Sequence, residues 1–349
     1  MTGRVPAPPL ALTMGEPAGI GGEIALKAWR ALRADAGVTP FFVIDDPERL
    51  ERLGRRLRLD APVAAIAAPG DAAAVFRTAL PVLLHPVPSA VEPGRPLAAT
   101  AGAVIDAIER AVALALSGEA GAVVTNPIHK KTLYEAGFAF PGHTEFLGEA
   151  VGRRTGKTCA PVMMLVAGPL RVVPVTVHIP LREVPAALTT AAIVHCGRTA
   201  AAALVRDFGI ARPRLAVCGL NPHAGEEGAL GSEEAAVIAP AVLELRAEGI
   251  SVVGPAPADS LFHEAARKGF DAALCMYHDQ ALIPLKTVDF EHGVNVTLGL
   301  PFVRTSPDHG TAFDIACQGR AHETSLVAAL DLAAAMARRR AAQERVQVA

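Results

Sequence analysis

The chain has 349 residues, of which 51% are apolar and 19% charged, and its 33 Lys and Arg against 35 Asp and Glu leave a formal net charge of −2. That balance supplies no general attraction to nucleic acid or to an anionic membrane, so any partner must be recognised at a local site. The length allows two domains and the burial of roughly three quarters of the unfolded surface.

Short β-rich runs alternate with alanine-rich helical stretches, the pattern of a parallel sheet covered by helices. Prolines at 6, 8 and 9 precede a strand at 10–14, and a glycine-rich turn leads into a helix over 23–32. A strand at 41–44, a proline-rich loop over 85–96, a helix over 98–116 and a strand at 122–125 follow. Beyond these the pattern predicts strands at 161–166, 171–178, 214–218, 250–254, 270–276 and 294–298. Helices are expected near 190–207, 233–247, 259–268 and 322–340. Arg338-Arg339-Arg340 closes the last of these, where positive charge complements the helix dipole. No apolar run approaches the ~20 residues of a membrane span, and the expected location is the cytoplasm. The five cysteines (Cys159, Cys196, Cys218, Cys275, Cys317) never form Cys-x-x-Cys and suit reduced core positions better than a disulfide framework or zinc knuckle.

Three histidines share one context, an apolar strand-like run followed by the imidazole and a chain break. His178 closes Arg171-Val-Val-Pro-Val-Thr-Val-His, His223 follows Leu215-Ala-Val-Cys-Gly-Leu-Asn-Pro, and His278 closes Ala272-Ala-Leu-Cys-Met-Tyr-His. In an open α/β sheet the carboxyl ends of parallel strands share one edge, where ligands bind. Three imidazoles delivered there suit a divalent metal with open positions for substrate. A single such histidine is more often a hydrogen-bonded structural residue; three in the same context weaken that explanation.

Other segments carry polar chemistry. Gly15-Glu-Pro-Ala-Gly-Ile-Gly-Gly22 joins the first strand to the first helix and suits either an anion cradle or merely a tight turn. It is not the Rossmann fingerprint, because the glycine required after Gly19 and Gly21 falls at Ile24, nor a P-loop. Thr125-Asn-Pro-Ile-His-Lys-Lys131 is a compact polar cluster whose lysines also read as solvated residues. His143 and Thr144 follow a Pro-Gly turn and start a helix, either as ligand contacts or as ordinary first-turn residues. Lys286, Asn295 and Arg304 follow His278 within apolar runs; each alone reads as a surface residue, and together they suit a receptor for an anionic metabolite.

Seven ordered motifs carry a resemblance over about residues 9–330. They are Met14-Gly-Glu-Pro-Ala-Gly-Ile-Gly, Thr125-Asn-Pro-Ile-His-Lys, Pro141-Gly-His-Thr-Glu-Phe, Gly219-Leu-Asn-Pro-His-Ala-Gly-Glu, Gly254-Pro-Ala-Pro-Ala-Asp-Ser-Leu-Phe, Met276-Tyr-His-Asp-Gln and Val294-Asn-Val-Thr-Leu-Gly-Leu-Pro. Together the chain resembles the 4-hydroxythreonine-4-phosphate dehydrogenase family of pyridoxal phosphate synthesis. The resemblance implies an isocitrate/isopropylmalate-dehydrogenase-like α/β fold, two α/β domains around a cleft. The expected limits are 1–135 with 305–349 for the first, discontinuous domain and 136–304 for the second.

It also implies a homodimer with a shared active site and NAD or NADP as cofactor. A divalent metal (Zn, Mg or Co) is implied at His178, His223 and His278, the last supplied by the partner subunit. His143, Thr144, Lys286, Asn295 and Arg304 match the family's substrate-binding positions. The implied reaction oxidises 4-phosphooxy-L-threonine to a β-keto acid that loses CO2 to give 3-amino-2-oxopropyl phosphate. Sister dehydrogenases of D-threonate or D-erythronate 4-phosphate, or of a carboxylated cis-dihydrodiol, are the alternative. A phosphate acyltransferase is more remote, and a non-catalytic metabolite-binding protein remoter still. The chain departs from the family pattern at Glu16 (usually Asp), Gly22 (commonly Pro), Glu227 (usually Gly) and Ala229 (usually His). The resemblance assigns neither a general base nor cofactor-binding residues.

Overall fold

The computed structural model describes residues 7–140 and 142–348, with the backbone alone for 344–348. Pro141, in the turn expected before His143, and Pro6 lie outside the described residues. The chain divides into two compact units, Met1–Pro161 with Leu300–Arg338 and Val162–Gly299 with Arg339–Ala349, whereas the sequence reading draws its limits at 135/136 and 304/305.

The first unit begins with β1 (Leu10–Thr13), β2 (Phe41–Asp45), β3 (Val63–Ile66), β4 (Leu80–Leu84) and β5 (Ala122–Thr125). The second contains β6 (Val162–Ala167), β7 (Leu170–Pro174), β8 (Arg214–Cys218), β9 (Ser251–Ala256), β10 (Ala272–Cys275) and β11 (Val294–Leu298). The chain then returns to the first unit for β12 (Arg304–Pro307).

In the first unit the strand order is β3-β4-β2-β1-β5-β12, parallel throughout. Every residue of β1 is buried, with Leu10 in register with Phe41 on one side and Ala122 on the other. A parallel strand covered on both faces reads as such an apolar run, and each buried leucine contributes about 1.5–3 kcal/mol. The helix Gly21–Leu32 connects β1 to β2 and buries Trp29, whose Nε1 donates to the Phe76 carbonyl at 2.7 Å. Sequence reading misses β3, β4, β12 and the helix Pro47–Leu57, among other elements. Two alanines in the half-buried β3 weaken its signal, and Pro81, second residue of β4, argues locally against a strand.

In the second unit the order is β11-β6-β7-β10-β8-β9. Here the parallel sheet expected from the alternating pattern is corrected in part, because β6 pairs antiparallel with both β11 and β7. Ala167 pairs with Leu170 across Gly168 (φ 53°), a hairpin too short for a parallel crossover. The remaining pairs, β7–β10, β10–β8 and β8–β9, are parallel. Their carboxyl ends therefore point the same way, with β10 between β7 and β8. The helix expected over 259–268 divides into Ala258–Leu261 and Glu264–Arg267, the second capped by His263.

Candidate functional site

The second unit carries all three histidines of the strand-end pattern. The strand expected to end at His178 stops at Pro174, yet its pairing continues irregularly: the Val175 and Thr176 N–H groups donate to the Cys275 and Met276 carbonyls. His178 then turns away in a left-handed conformation, φ 48°. His278 opens the helix His278–Val288 three residues beyond β10. Because β7 and β10 are neighbours, the two imidazoles meet, with ring centroids 5.8 Å apart. They line a cavity of about 260 Å³ together with Thr176, Leu181, Tyr277 and Asp279. His278 Nδ1 lies 2.7 Å from Asp279 Oδ1. An ionised carboxylate only accepts, so Nδ1 of the neutral ring carries the proton and Nε2 presents the lone pair.

His223 stands past β8, on the other side of β10. It opens a run of five left-handed residues, His223 to Glu227, with φ between 43° and 80° and only one glycine among them. Its Nδ1 is 3.6 Å from Glu226 Oε2 and its side chain is 68% exposed. It does not line the His178–His278 cavity. Among the described residues no group of three or more His, Cys, Asp or Glu side chains is assembled for a metal. The donor chemistry of the cavity, two imidazoles beside a carboxylate, suits a borderline cation such as zinc, but one chain brings together two of the three proposed imidazoles.

Lys286 is in the last turn of the helix His278–Val288, its Nζ 5.3 Å from the Phe290 ring centroid. Asn295 is on β11, and its buried Oδ1 has no hydrogen-bond partner among the described residues. An acceptor so placed is available to a ligand donor.

The first unit holds the other expected substrate residues. His143 and Thr144 open the helix His143–Thr155, and Arg304 opens β12. Arg304 is 2% exposed and donates from Nη2 to Thr125 Oγ1 at 2.6 Å. Burial pushes its guanidinium down to about 9, so it stays cationic at neutral pH. His143 is held well below the usual imidazole range, first by burial and then by the positive charges of Arg304 and Lys130. Its Nε2 is buried without a hydrogen-bond partner among the described residues. Two cations and a neutral imidazole bias this place toward an anion such as phosphate. Sequence reading leaves Lys130 open between site and solvated surface; its proximity to His143 comes from the fold.

The glycine-rich turn packs against the polar cluster that follows β5. Gly15 has φ 68°, and a Cβ there would lie 2.6 Å from both Asn126 Cβ and the Pro127 carbonyl oxygen. Asn126 donates from Nδ2 to the Thr13 carbonyl at 3.0 Å, while the Glu16 N–H donates to Pro127 O at 2.8 Å. Glu16 is buried, which raises its carboxyl pKa against the lowering effects of the Ala18 N–H and Arg49. Beside this turn a cavity of about 450 Å³ is lined by Pro17, Gly19, Arg49, Arg52, Arg56 and Cys317, among others.

Residues 38–333 match the family described as pyridoxal phosphate biosynthetic protein PdxA. The chain belongs to that family. A 4-hydroxythreonine-4-phosphate dehydrogenase from Caulobacter vibrioides is 58% identical over 334 residues, covering 95% of this chain and 98% of the relative. The solved structure of the enzyme of that name from Klebsiella pneumoniae is 39% identical, with a TM-score of 0.82 over 95% of this chain and 99% of that one. A terephthalate 1,2-cis-dihydrodiol dehydrogenase from Burkholderia xenovorans is 28% identical, with a TM-score of 0.63 over 93% and 97%. The mixed α/β fold of this PdxA-family chain is thus shared with dehydrogenases along nearly its whole length.

Proposed function

We propose that the chain oxidises 4-phosphooxy-L-threonine to 2-amino-3-oxo-4-phosphooxybutanoate, which decarboxylates to 3-amino-2-oxopropyl phosphate for pyridoxal phosphate synthesis. The observation that carries this reading is the buried cation Arg304, beside neutral His143 and Lys130, in a chain 58% identical to a dehydrogenase of a phosphorylated substrate. Arg304 and Lys286 neutralise the substrate's anionic groups, while His143, Thr144 and Asn295 orient it through hydrogen bonds.

The oxidant is NAD or NADP. The first unit's 450 Å³ cavity, with Arg52 and Arg56 on its wall, has the room and charge for the phosphorylated part of a dinucleotide. A divalent metal (Zn, Mg or Co) would be held by His178 and His223 with His278 of the partner subunit, and supplies Lewis acidity that eases deprotonation of the alcohol. Asp279 holds the His278 ring with Nε2 as the ligand nitrogen. A shared site implies a homodimer, and the exposed apolar side chains Leu181 (68%), Ile283 (65%) and Phe290 (75%) of the second unit favour one.

The test is a panel of 4-phosphorylated hydroxy acids and a carboxylated cis-dihydrodiol, each assayed for NAD and NADP reduction with defined metals. The highest kcat/KM is expected with 4-phosphooxy-L-threonine. Preference for D-threonate or D-erythronate 4-phosphate, or for the unphosphorylated dihydrodiol, would move the chain to a sister activity.

A further inference from the structure

Each of the three histidine-bearing strand ends is tied to its neighbours by side chains that the metal and substrate assignments do not use. Gln280 is buried, and its amide faces two strand ends at once. Its Oε1 accepts the Met276 N–H at 2.6 Å, and its Nε2 donates to the Gly219 carbonyl at 2.8 Å. The first bond holds the exit of β10, two residues before His278. The second holds the exit of β8, four residues before His223. On the far side of β10, Thr176 donates from both its N–H and Oγ1 to the Met276 carbonyl, fixing the segment that ends in His178.

A second clamp continues from Gly219. Glu234 is buried, and its Oε1 accepts the Leu220 and Asn221 N–H groups at 2.8 and 2.7 Å. Its Oε2 accepts Asn221 Nδ2 at 3.0 Å. Glu234 begins a single π-helical turn, Glu234–Ile238, of the kind frequently found at functional sites. Gly219 and Gly225 leave the space it fills: a Cβ on them would lie 3.2 and 2.6 Å from the carboxylate oxygens. The run of left-handed residues from His223 to Glu227 is a sparsely populated backbone state that persists only when its surroundings hold it. Glu234 grips the two residues before Pro222 and packs against Gly225 within the run.

We propose that Gln280 and Glu234 are positioning residues that set the placement of His223 and His278 at the sheet edge through this continuous hydrogen-bond path. The proposal rests on the reading of these histidines as metal ligands, and it holds whichever copy of the chain each imidazole serves. Hydrogen-bonded partners outside the ligand set fix ligand orientation, and losing one typically weakens metal binding about 10–100-fold.

The experiment measures Co(II) affinity and the cobalt absorption spectrum of the whole protein for Gln280→Leu, Glu234→Ala, Glu234→Gln and His223→Ala, with circular dichroism and nicotinamide dinucleotide affinity as checks on folding. Gln280→Leu and Glu234→Ala should bind Co(II) about 10–100-fold more weakly, with altered band intensity, at unchanged dinucleotide affinity. Glu234→Gln keeps an oxygen for the two backbone N–H groups, although its Nε2 cannot accept from Asn221 Nδ2, and should bind Co(II) more tightly than Glu234→Ala but less tightly than the wild type. Wild-type Co(II) affinity and spectrum in folded Gln280→Leu and Glu234→Ala, alongside metal loss in His223→Ala, would overturn the clamp. Glu234→Gln as defective as Glu234→Ala would overturn the part given to the Leu220 and Asn221 bonds. Undiminished Co(II) binding by His223→Ala would instead remove the metal reading beneath the proposal. Should Glu234→Ala not fold, Gln280→Leu decides the clamp, because it removes two bonds while keeping an apolar side chain of similar size.

Discussion

Mixing inactive variants locates the three imidazoles among the copies of the chain. Under the proposed arrangement each site takes His178 and His223 from one chain and His278 from its partner. A dimer of one His178→Ala chain and one His278→Ala chain then has one site carrying both lesions and one carrying neither. Random exchange makes half the dimers mixed, and each has one working site of two, so activity should recover to about a quarter of wild type. His223→Ala mixed with His278→Ala should recover equally. His178→Ala mixed with His223→Ala should not, because every site keeps one lesion. The structure supplies the competing outcome, since His178 and His278 of one chain lie with ring centroids 5.8 Å apart over a common cavity. If they serve one site and His223 comes from the other copy, the pattern inverts: His178→Ala with His223→Ala recovers about a quarter and His178→Ala with His278→Ala recovers nothing. Nicotinamide reduction at saturating substrate, with exchange verified by differently tagged chains, reads the result. The inverted pattern refutes the proposed division, and proven exchange without recovery in any pairing refutes a shared site.

Arg304→Ala should raise the KM or Kd for phosphorylated substrate by a factor of about 10–150 from lost charge-assisted bonds, leaving dinucleotide affinity unchanged; equal losses for both ligands would refute the anion-binding role. Arg52→Ala with Arg56→Ala should weaken dinucleotide binding, read by calorimetry, and unchanged affinity would remove the cofactor from the 450 Å³ cavity. His143 has a depressed folded-state pKa, so its contribution to stability is fully present above the unfolded value of about 6.5 and is lost as pH falls through the folded value. Melting temperature against pH should therefore fall more steeply below about pH 6.5 for the wild type than for His143→Asn, and parallel curves would contradict the assignment. Gly15→Ala places a methyl against Asn126 and Pro127 at φ 68° and should destabilise by about 1–3 kcal/mol, measured by denaturant unfolding; a neutral substitution would show that the turn relaxes freely.

The sequence by itself determined what depends on local pattern. Apolar runs marked β1, β5, β8, β10 and β11, and the alternation of strands with alanine-rich helices marked the α/β class. The three histidines were legible as strand-end residues because each follows its run within a few positions, and the motifs around them carried the family. Tertiary structure decided what depends on residues far apart in the chain. The order β7-β10-β8 brings His178 beside His278 and leaves His223 outside their cavity; no spacing in the sequence encodes which strands are neighbours. The antiparallel pairing of β6 with β7 arises from one tight hairpin, and its antiparallel pairing with β11, more than a hundred residues on, is fixed only by the fold, within a pattern that otherwise reads as parallel. Arg304 reads alone as a surface cation and with its neighbours as part of an anion receptor, while its burial against Thr125, 179 residues away, comes from the fold. Gln280 closes the Met276-Tyr-His-Asp-Gln motif without a role until its amide meets Gly219, 61 residues away. Burial and hydrogen-bond partnership are properties of the packed chain, because desolvation and directional bonds exist only once distant segments have met.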